Sequence, residues 1–168
     1  MKDTQDFKNA LASWASGVTV VTTELDGKLY GLTASSFSSL SLDPPLVLVC
    51  IANSNRLPEM VRQSGRFTVS ILARDQEHLS NHFARPGREP EDTLAPGEHQ
   101  DTAVDVPALA NAAGYVACEV HELVEQGDHT ILIGRVVEAG ADDQRAPLIY
   151  YRRGYGTVDK TPLPESAV

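Results

Sequence analysis

The chain has 168 residues, of which 42% are hydrophobic and 22% charged, a composition suited to one globular domain whose core needs neither disulfides nor metal. Its formal net charge of −9 works against a sequence-independent grip on phosphate backbones, so no nucleic-acid partner is expected. No run approaches about 18 consecutive apolar residues and no basic leader precedes a long apolar core, which sets the expectation of a cytoplasmic protein with no membrane partner.

Phe7, Leu11 and Trp14 recur at i, i+4 and i+7, with Asp3 or Thr4 available as a cap and Gly17 beyond the end, and predict a first amphipathic helix. Val18 to Leu25 is β-rich, Asp26-Gly27 is a two-residue hairpin signal, and Leu29 to Ser35 returns beside it. The stretch Gly31-Leu32-Thr33-Ala34-Ser35-Ser36-Phe37-Ser38-Ser39-Leu40 is then rich in hydroxyls and small side chains where a strand ordinarily alternates bulky ones. It reads as a cradle open to a flat, acceptor-rich ring system, or as a polar edge strand.

Asp43-Pro44-Pro45 predicts a turn, and Leu46 to Ala52, apolar throughout, predicts a strand buried on both faces or lining a barrel interior. Asn53-Ser54-Asn55-Arg56 opens a short helix carrying Leu57, Met60 and Val61 and closed by Gly65. Its start is either a phosphate site without a glycine-rich loop or an asparagine cap beside a solvated arginine.

Phe67 to Ala73 reads as a strand, and Asp75 as the cap of a helix in which Leu79 and Phe83 share a face. His78 and His82 stand four apart there, but with no HExxH glutamate or third ligand they read as a solvated face, and no metal site is expected. From Pro86 to Gly114 four prolines and several acids predict a lid or a mobile excursion. Tyr115 to Val124 and Thr130 to Ala139 predict a hairpin turning at Glu125-Gln126-Gly127-Asp128-His129, and Leu148 to Tyr151 a last short strand.

Cys50 and Cys118 lie in apolar runs and read as reduced core residues. The fold class is mainly β with a few helices, about six or seven short strands in a closed or nearly closed antiparallel barrel. One domain spans 1–158, and 159–168 reads as a loose tail.

GxGxxG after a strand, GxxxxGK[ST], GxSxG and HExxH are all absent; the hydroxyl-rich cradle, the phosphate-site reading and a histidine on a hairpin tip remain, and these suit redox chemistry carried by a bound organic cofactor. The runs Gly17 to Thr23, Gly31 to Leu40 with Asp43-Pro44-Pro45, and Phe67 to Leu72 resemble the short-chain flavin reductase family, as do Phe83-Ala84, Gly127-Asp128-His129, Ile133-Gly134-Arg135-Val136 and Pro147-Leu148-Ile149-Tyr150. The resemblance implies a split β-barrel of the FMN-binding type and a homodimer. It further implies an NAD(P)H-dependent reductase of FMN or FAD that hands reduced flavin to a transient partner oxygenase.

On that resemblance Thr33, Ala34, Ser35 and Ser36 would contact the isoalloxazine and ribityl parts. Ala52, Asn53, Ser54, Asn55 and Arg56 belong to the stretch that would hold the ribityl phosphate, and Ser80, Phe83, Ala84 and Arg85 would close the site. Tyr150 would border the pocket, and His129 would lie near the nicotinamide of NADH or NADPH as a positioning, charge-stabilising donor; on residues alone it reads equally as a solvated hairpin histidine. The alternative function is a protein that keeps FMN tightly bound and passes electrons elsewhere, or only stores it. The chain departs from the family in lacking aromatic residues between Phe83 and Tyr115 and in carrying Tyr151 where a histidine often stands. Arg152 and Arg153 stand open to a phosphate or to solvent.

Overall fold

The structure, a computed structural model, describes residues 4–94 and 96–158. Helix α1 (Thr4–Ala12) and the two-residue strand β1 (Ser16–Gly17) lead into a hairpin of β2 (Thr19–Leu25) and β3 (Lys28–Ala34). Its turn has φ of 53° at Asp26 and 76° at Gly27, the left-handed pair that a two-residue connection needs. Strand β4 (Phe37–Leu42) follows after Ser35 and Ser36 alone and pairs with β5 (Pro45–Ala52).

Helix α2 (Leu57–Ser64) ends at Gly65, whose φ of 72° lets its N–H reach Val61 O at 2.9 Å. Strand β6 (Arg66–Ile71) and one 3₁₀ turn (Arg74–Gln76) precede α3 (Glu77–Phe83). Gln76, not Asp75, secures that entry: its Oε1 accepts from Ala73 N–H at 3.0 Å and its Nε2 donates to Ala110 O at 2.8 Å. Asp75 faces Arg145 instead, at 3.5 Å. The short strands β7 (His99–Gln100) and β8 (Ala108–Leu109) pair with each other. The 13-residue strands β9 (Gly114–Gln126) and β10 (His129–Ala141), then β11 (Leu148–Tyr151) and β12 (Gly154–Thr157), complete the described chain.

The fold is mainly β, with three α-helices among the described residues, and its strand pairs are antiparallel. A seven-stranded sheet runs β3-β2-β6-β9-β10-β5-β4, beside a three-stranded sheet β1-β11-β12. Twelve strands occur among the described residues, more than the hairpin spacing predicts, because β1, β4, β7, β8 and β12 form in short, polar or glycine-containing stretches without a strand-like apolar run. The two edges of the large sheet, β3 and β4, are neighbours in the chain, joined through Ser35 and Ser36.

Two cores flank this sheet. Val21, Val49, Phe67, Val69 and Leu132 pack with Leu57 and Val61 of α2; Val18, Val20, Leu72 and Leu148 pack with Leu79 and Phe83 of α3 and with Leu94 and Leu109. Each fully buried aliphatic or aromatic side chain adds on the order of 1.5–3 kcal/mol. The strands buried on both faces are β2, which both cores meet, and β6, whereas β5 alternates: Val47, Val49 and Ile51 are buried while Leu46, Leu48 and Cys50 are partly exposed. The two-face expectation for Leu46 to Ala52 is corrected accordingly. Cys118 is a core thiol as expected, but Cys50 is not.

Residues 86–114 are not a loose excursion. Leu94, Val104, Val106, Ala108 and Leu109 are buried, and a row of hydroxyls holds the strap down: Thr22 donates to Pro107 O (2.9 Å), Thr68 to Val106 O (2.7 Å), and Ser70 accepts from Leu109 N–H (2.9 Å). These bonds satisfy carbonyls and an amide that a buried loop would otherwise leave unpaired. Helix α1 buries nothing: Phe7, Leu11 and Trp14, expected on a core face, are 49%, 57% and 77% exposed. The predicted tail 159–168 lies outside the described residues.

Candidate functional site

The hydroxyl-rich stretch splits between the end of β3, the Ser35-Ser36 link and β4. Thr33 Oγ1 donates to Ser80 O at 2.7 Å, and Ser80 Oγ lies 2.8 Å from Tyr155 OH, which also donates to Asn81 Oδ1 at 3.2 Å. The β11–β12 pairing sets Tyr150 opposite Tyr155, with the rings edge-on at 5.4 Å. Val18, Thr33, Ser35, Ser80, Tyr150 and Tyr155 thereby enclose a cleft of about 140 Å³. Typical organic-ligand pockets run to roughly 300–1,000 Å³. In one chain the cleft admits the edge of a large ring system and not its whole body.

Ala34 is buried and its carbonyl accepts from Thr19 Oγ1 at 2.7 Å, so it presents little beyond backbone. Ser35 is exposed, whereas the Ser36 hydroxyl bridges β4 to β5, donating to Cys50 O at 2.7 Å and accepting from Cys50 N–H at 3.2 Å. That bridge leads to the second cluster. The register places Ala52 opposite His129; Asn53 N–H donates to Asp128 O at 2.9 Å, and Thr130 Oγ1 to Asn53 Oδ1 at 2.7 Å.

His129 Nδ1 lies 2.7 Å from Asp128 Oδ1, and this hydrogen bond holds the exposed Asp128 carboxyl below its usual range. Nε2 makes no hydrogen bond among the described residues and remains the ring nitrogen open to a ligand. With Nδ1–H turned to the carboxylate, Nε2 accepts in the neutral ring and donates in the imidazolium.

At the start of α2 the N-cap position is Arg56, without a side-chain cap, and Asn55 makes the turn just before it. Asn55 Oδ1 accepts Leu57 N–H at 3.1 Å, and Pro58 has no N–H to offer, so little of the helix start is left for an anion. Ser54 and Arg56 are exposed, and Arg56 reaches Glu89 of the strap at 2.6 Å. A phosphate on Arg56 would have to displace that carboxylate.

Ser80 and Phe83 are fully buried, Ala84 and Arg85 exposed. Phe83 lies under β3 and not in the cleft: a Cβ on Gly31 would fall 2.7 Å from its Cε1. Arg88, absent from the sequence expectations, clamps this pair; its guanidinium lies 4.7 Å above the Phe83 ring and donates to Gly31 O at 2.8 Å. Nothing local marks Arg88. Tyr155, also missed, could have been found from its symmetry with Tyr150 about a two-residue turn. His78 is exposed while His82 is half-buried and edge-on to Phe83 at 5.0 Å, so the expected solvated face is only half present.

Among the larger cavities, two of about 410 and 380 Å³ contain none of the cleft or His129-cluster residues, and a third of about 380 Å³ shares only Tyr155 with the cleft. The first is crossed by Arg145 contacts to Asp75 and Asp142. The hydroxyl donors, the small side chains of the cradle and the open His129 nitrogen fit a flavin and a nicotinamide better than they fit any of the three.

The family description "Flavin reductase like domain" matches residues 11–159. The reductase component of 4-hydroxyphenylacetate 3-monooxygenase from Thermus thermophilus is 40% identical over 149 residues, covering 89% of this chain and 93% of that one. An NADH-dependent flavin reductase from Rhodococcus is 39% identical over 156 residues, 91% and 85% of the two chains. A relative from Rhizobium meliloti is 40% identical over 156 residues, but the chain spans only 49% of its length. Among solved structures, the Streptomyces globisporus NADH:FAD oxidoreductase SgcE6 in complex with NAD and FAD fragments superposes with a TM-score of 0.84 at 29% identity, covering 99% of this chain and 96% of that one.

Proposed function

Because the chain belongs to the flavin reductase-like family, we propose that it oxidises NADH, reduces FMN or FAD by hydride transfer, and supplies the reduced flavin to a partner monooxygenase. The observation that carries this reading is the continuity of the two clusters. Thr33 and Ser35 share the cleft with Tyr150, and the next residue, Ser36, is bonded to β5 two residues before the Ala52–His129 pair.

The flavin, when bound, supplies hydride acceptance, and the protein's part is orientation and electrostatics. Thr33, Ser35 and the backbone of Ala34 and Ser36 meet the ring and ribityl chain. Asn53, Ser54 and Arg56 face the phosphate end, with Arg56 exchanging Glu89 for it. His129 Nε2 positions the nicotinamide amide or donates toward developing negative charge as the imidazolium; no side-chain base is needed for a direct hydride. Buried Phe83 and Ser80 shape the site from beneath, and Ala84 and Arg85 border it.

Residues 1–158 act as one domain with the split-barrel arrangement, supported by the chain-adjacent edges β3 and β4. The protein works as a cytoplasmic homodimer. Supporting the dimer are exposed Phe7, Leu11, Trp14, Leu40, Leu42 and Val137, and a cleft too small for a whole flavin in one chain. Among the described residues no helix is long and apolar enough to cross a membrane.

The deciding experiment is the initial rate of NADH oxidation during titrations of FMN and then FAD. Saturable dependence on one flavin is expected. A rate unmoved by flavin, with flavin fluorescence still quenched on binding, would replace this reading with a flavin carrier.

A further inference from the structure

We propose that the Arg152–Arg153 turn, beside the cleft and next to exposed Trp14, is the docking point for the adenosine diphosphate half of a dinucleotide. This rests on the reductase reading and extends the site beyond the cleft.

Backbone geometry singles out this turn. Tyr151 pairs with Gly154, so Arg152 and Arg153 form a two-residue hairpin loop, with φ of 47° and 65°. Both central residues are left-handed, a conformation that the other hairpins of the chain assign to Asp26-Gly27 and to Gly127. Two arginines there hold a backbone that their Cβ atoms disfavour, and such departures cluster where a ligand is held.

Charge points the same way. Six of the other eight arginines lie within ion-pair distance of a carboxylate, in a chain of net charge −9; among the described residues Arg74 and Arg85 do not, but they stand singly, whereas Arg152 and Arg153 are adjacent. Arg152 and Arg153 have no carboxylate partner among the described residues. Arg152 lies 5.2 Å over the Tyr151 ring, and Arg153 Nη2 reaches only Asn9 Oδ1 at 3.4 Å. Neither guanidinium caps α1, because the backbone N–H of Arg152 already donates to Ala12 O at 2.9 Å. Two unpaired forks of donors are suited to a pyrophosphate.

Shape and distance agree with this assignment. A hollow of about 240 Å³ lies between the turn and Asn9, Ala12 and Ser13. The next residue, Trp14, is 77% exposed and offers a flat face for a purine. The turn begins two residues beyond Tyr150 on β11, about 7 Å at strand rise. A dinucleotide whose reactive ring meets the cleft would therefore carry its pyrophosphate toward the turn.

The test uses the double variant Arg152→Asn/Arg153→Gly, which gives the turn residues suited to its backbone and is expected to melt no lower than wild type. With FMN as acceptor, only NADH carries adenosine diphosphate. The variant should then raise KM for NADH about ten-fold while kcat moves far less, as expected for a lost charge-assisted hydrogen bond. ADP should inhibit wild type competitively against NADH and the variant about ten-fold more weakly. If KM for FAD rises instead while KM for FMN does not, the site stands and the diphosphate is the flavin's. Unchanged KM for NADH and FAD, with no ADP inhibition, overturns the proposal.

Trp14 is the single tryptophan of the chain, so ADP binding can be followed by its fluorescence with no flavin present. Saturable quenching in a protein that fails to reduce flavin would sink the reductase reading and keep this site. Normal flavin reduction without ADP binding would do the reverse.

Discussion

Gly31 and Phe83 are in contact at a distance that leaves no room for a side chain: a Cβ on Gly31 would sit 2.7 Å from Phe83 Cε1, and Phe83 is fully buried with Arg88 stacked over its ring. The cradle strand β3 therefore owes its position to α3 and the strap beneath it. Gly31→Ala should cost about 1–3 kcal/mol of stability, the range for overpacking. That corresponds to about 2–4 °C in Tm per kcal/mol. Thermal melts and FMN titration check it together, and weaker flavin binding is expected to accompany the lower Tm.

His129→Ala should raise KM for NADH or slow flavin reduction while flavin binding survives, because His129 sits at the β5–β10 end and not in the cleft around Thr33. Asp128→Asn keeps the ring but removes the carboxylate that holds its Nδ1 at 2.7 Å and so fixes the orientation of Nε2. Stopped-flow reduction of bound flavin should show it intermediate between wild type and His129→Ala. Unchanged reductive kinetics in both variants would remove His129 from the site.

Glu89 competes for Arg56 at 2.6 Å, with both side chains more than half exposed. Glu89→Ala should lower the Kd for FMN several-fold and leave riboflavin, which has no phosphate, unaffected. The exposed pair contributes little to stability, so the melting temperature should stay close to wild type.

Thr22→Val removes the hydroxyl that satisfies Pro107 O and should cost about 1–3 kcal/mol, the penalty of a buried unpaired carbonyl. Hydrogen exchange should quicken in the strap around residues 102–109 before it quickens in β2. Equal protection in both proteins would mean that the apolar contacts of Val106 and Leu109 alone hold the strap.

Glu138 accepts from Tyr115 OH and from Ala103 N–H, tying the strap to the long hairpin. The Tyr115 hydrogen bond, with the Ala103 N–H second, holds the Glu138 carboxyl below its ordinary value, while Glu138 raises the Tyr115 phenol above its own. The carboxyl is depressed, so its contribution is present above the usual carboxylate range and lost as pH falls through the folded value. The phenol is raised, so its contribution is present below the usual phenol range and lost as pH climbs through the folded value. Glu138→Ala should bring one tyrosine titration down in ultraviolet difference spectra and increase protease cutting between residues 86 and 114.

The sequence by itself determined the β2–β3 and β9–β10 hairpins and the three helices, because those depend on local chemistry. Asp26-Gly27 and Gly127 favour left-handed turns, Gly65 closes α2, and the run of serines and threonines after Gly31 is visible without a fold. Only the tertiary structure decided which apolar faces are covered. Leu46 to Ala52 and the α1 stripe are apolar enough for a core, yet coverage depends on where α2, α3 and the strap pack, and they pack on β2 from both sides. The same long-range packing placed Arg88 over Phe83 and Tyr155 against Ser80, and it joined Ser36 to β5 two residues before the Ala52–His129 pair. Contacts between residues so far apart in the chain leave no period or spacing in the sequence, since they exist only once the sheet has brought its two edges to Ser35 and Ser36.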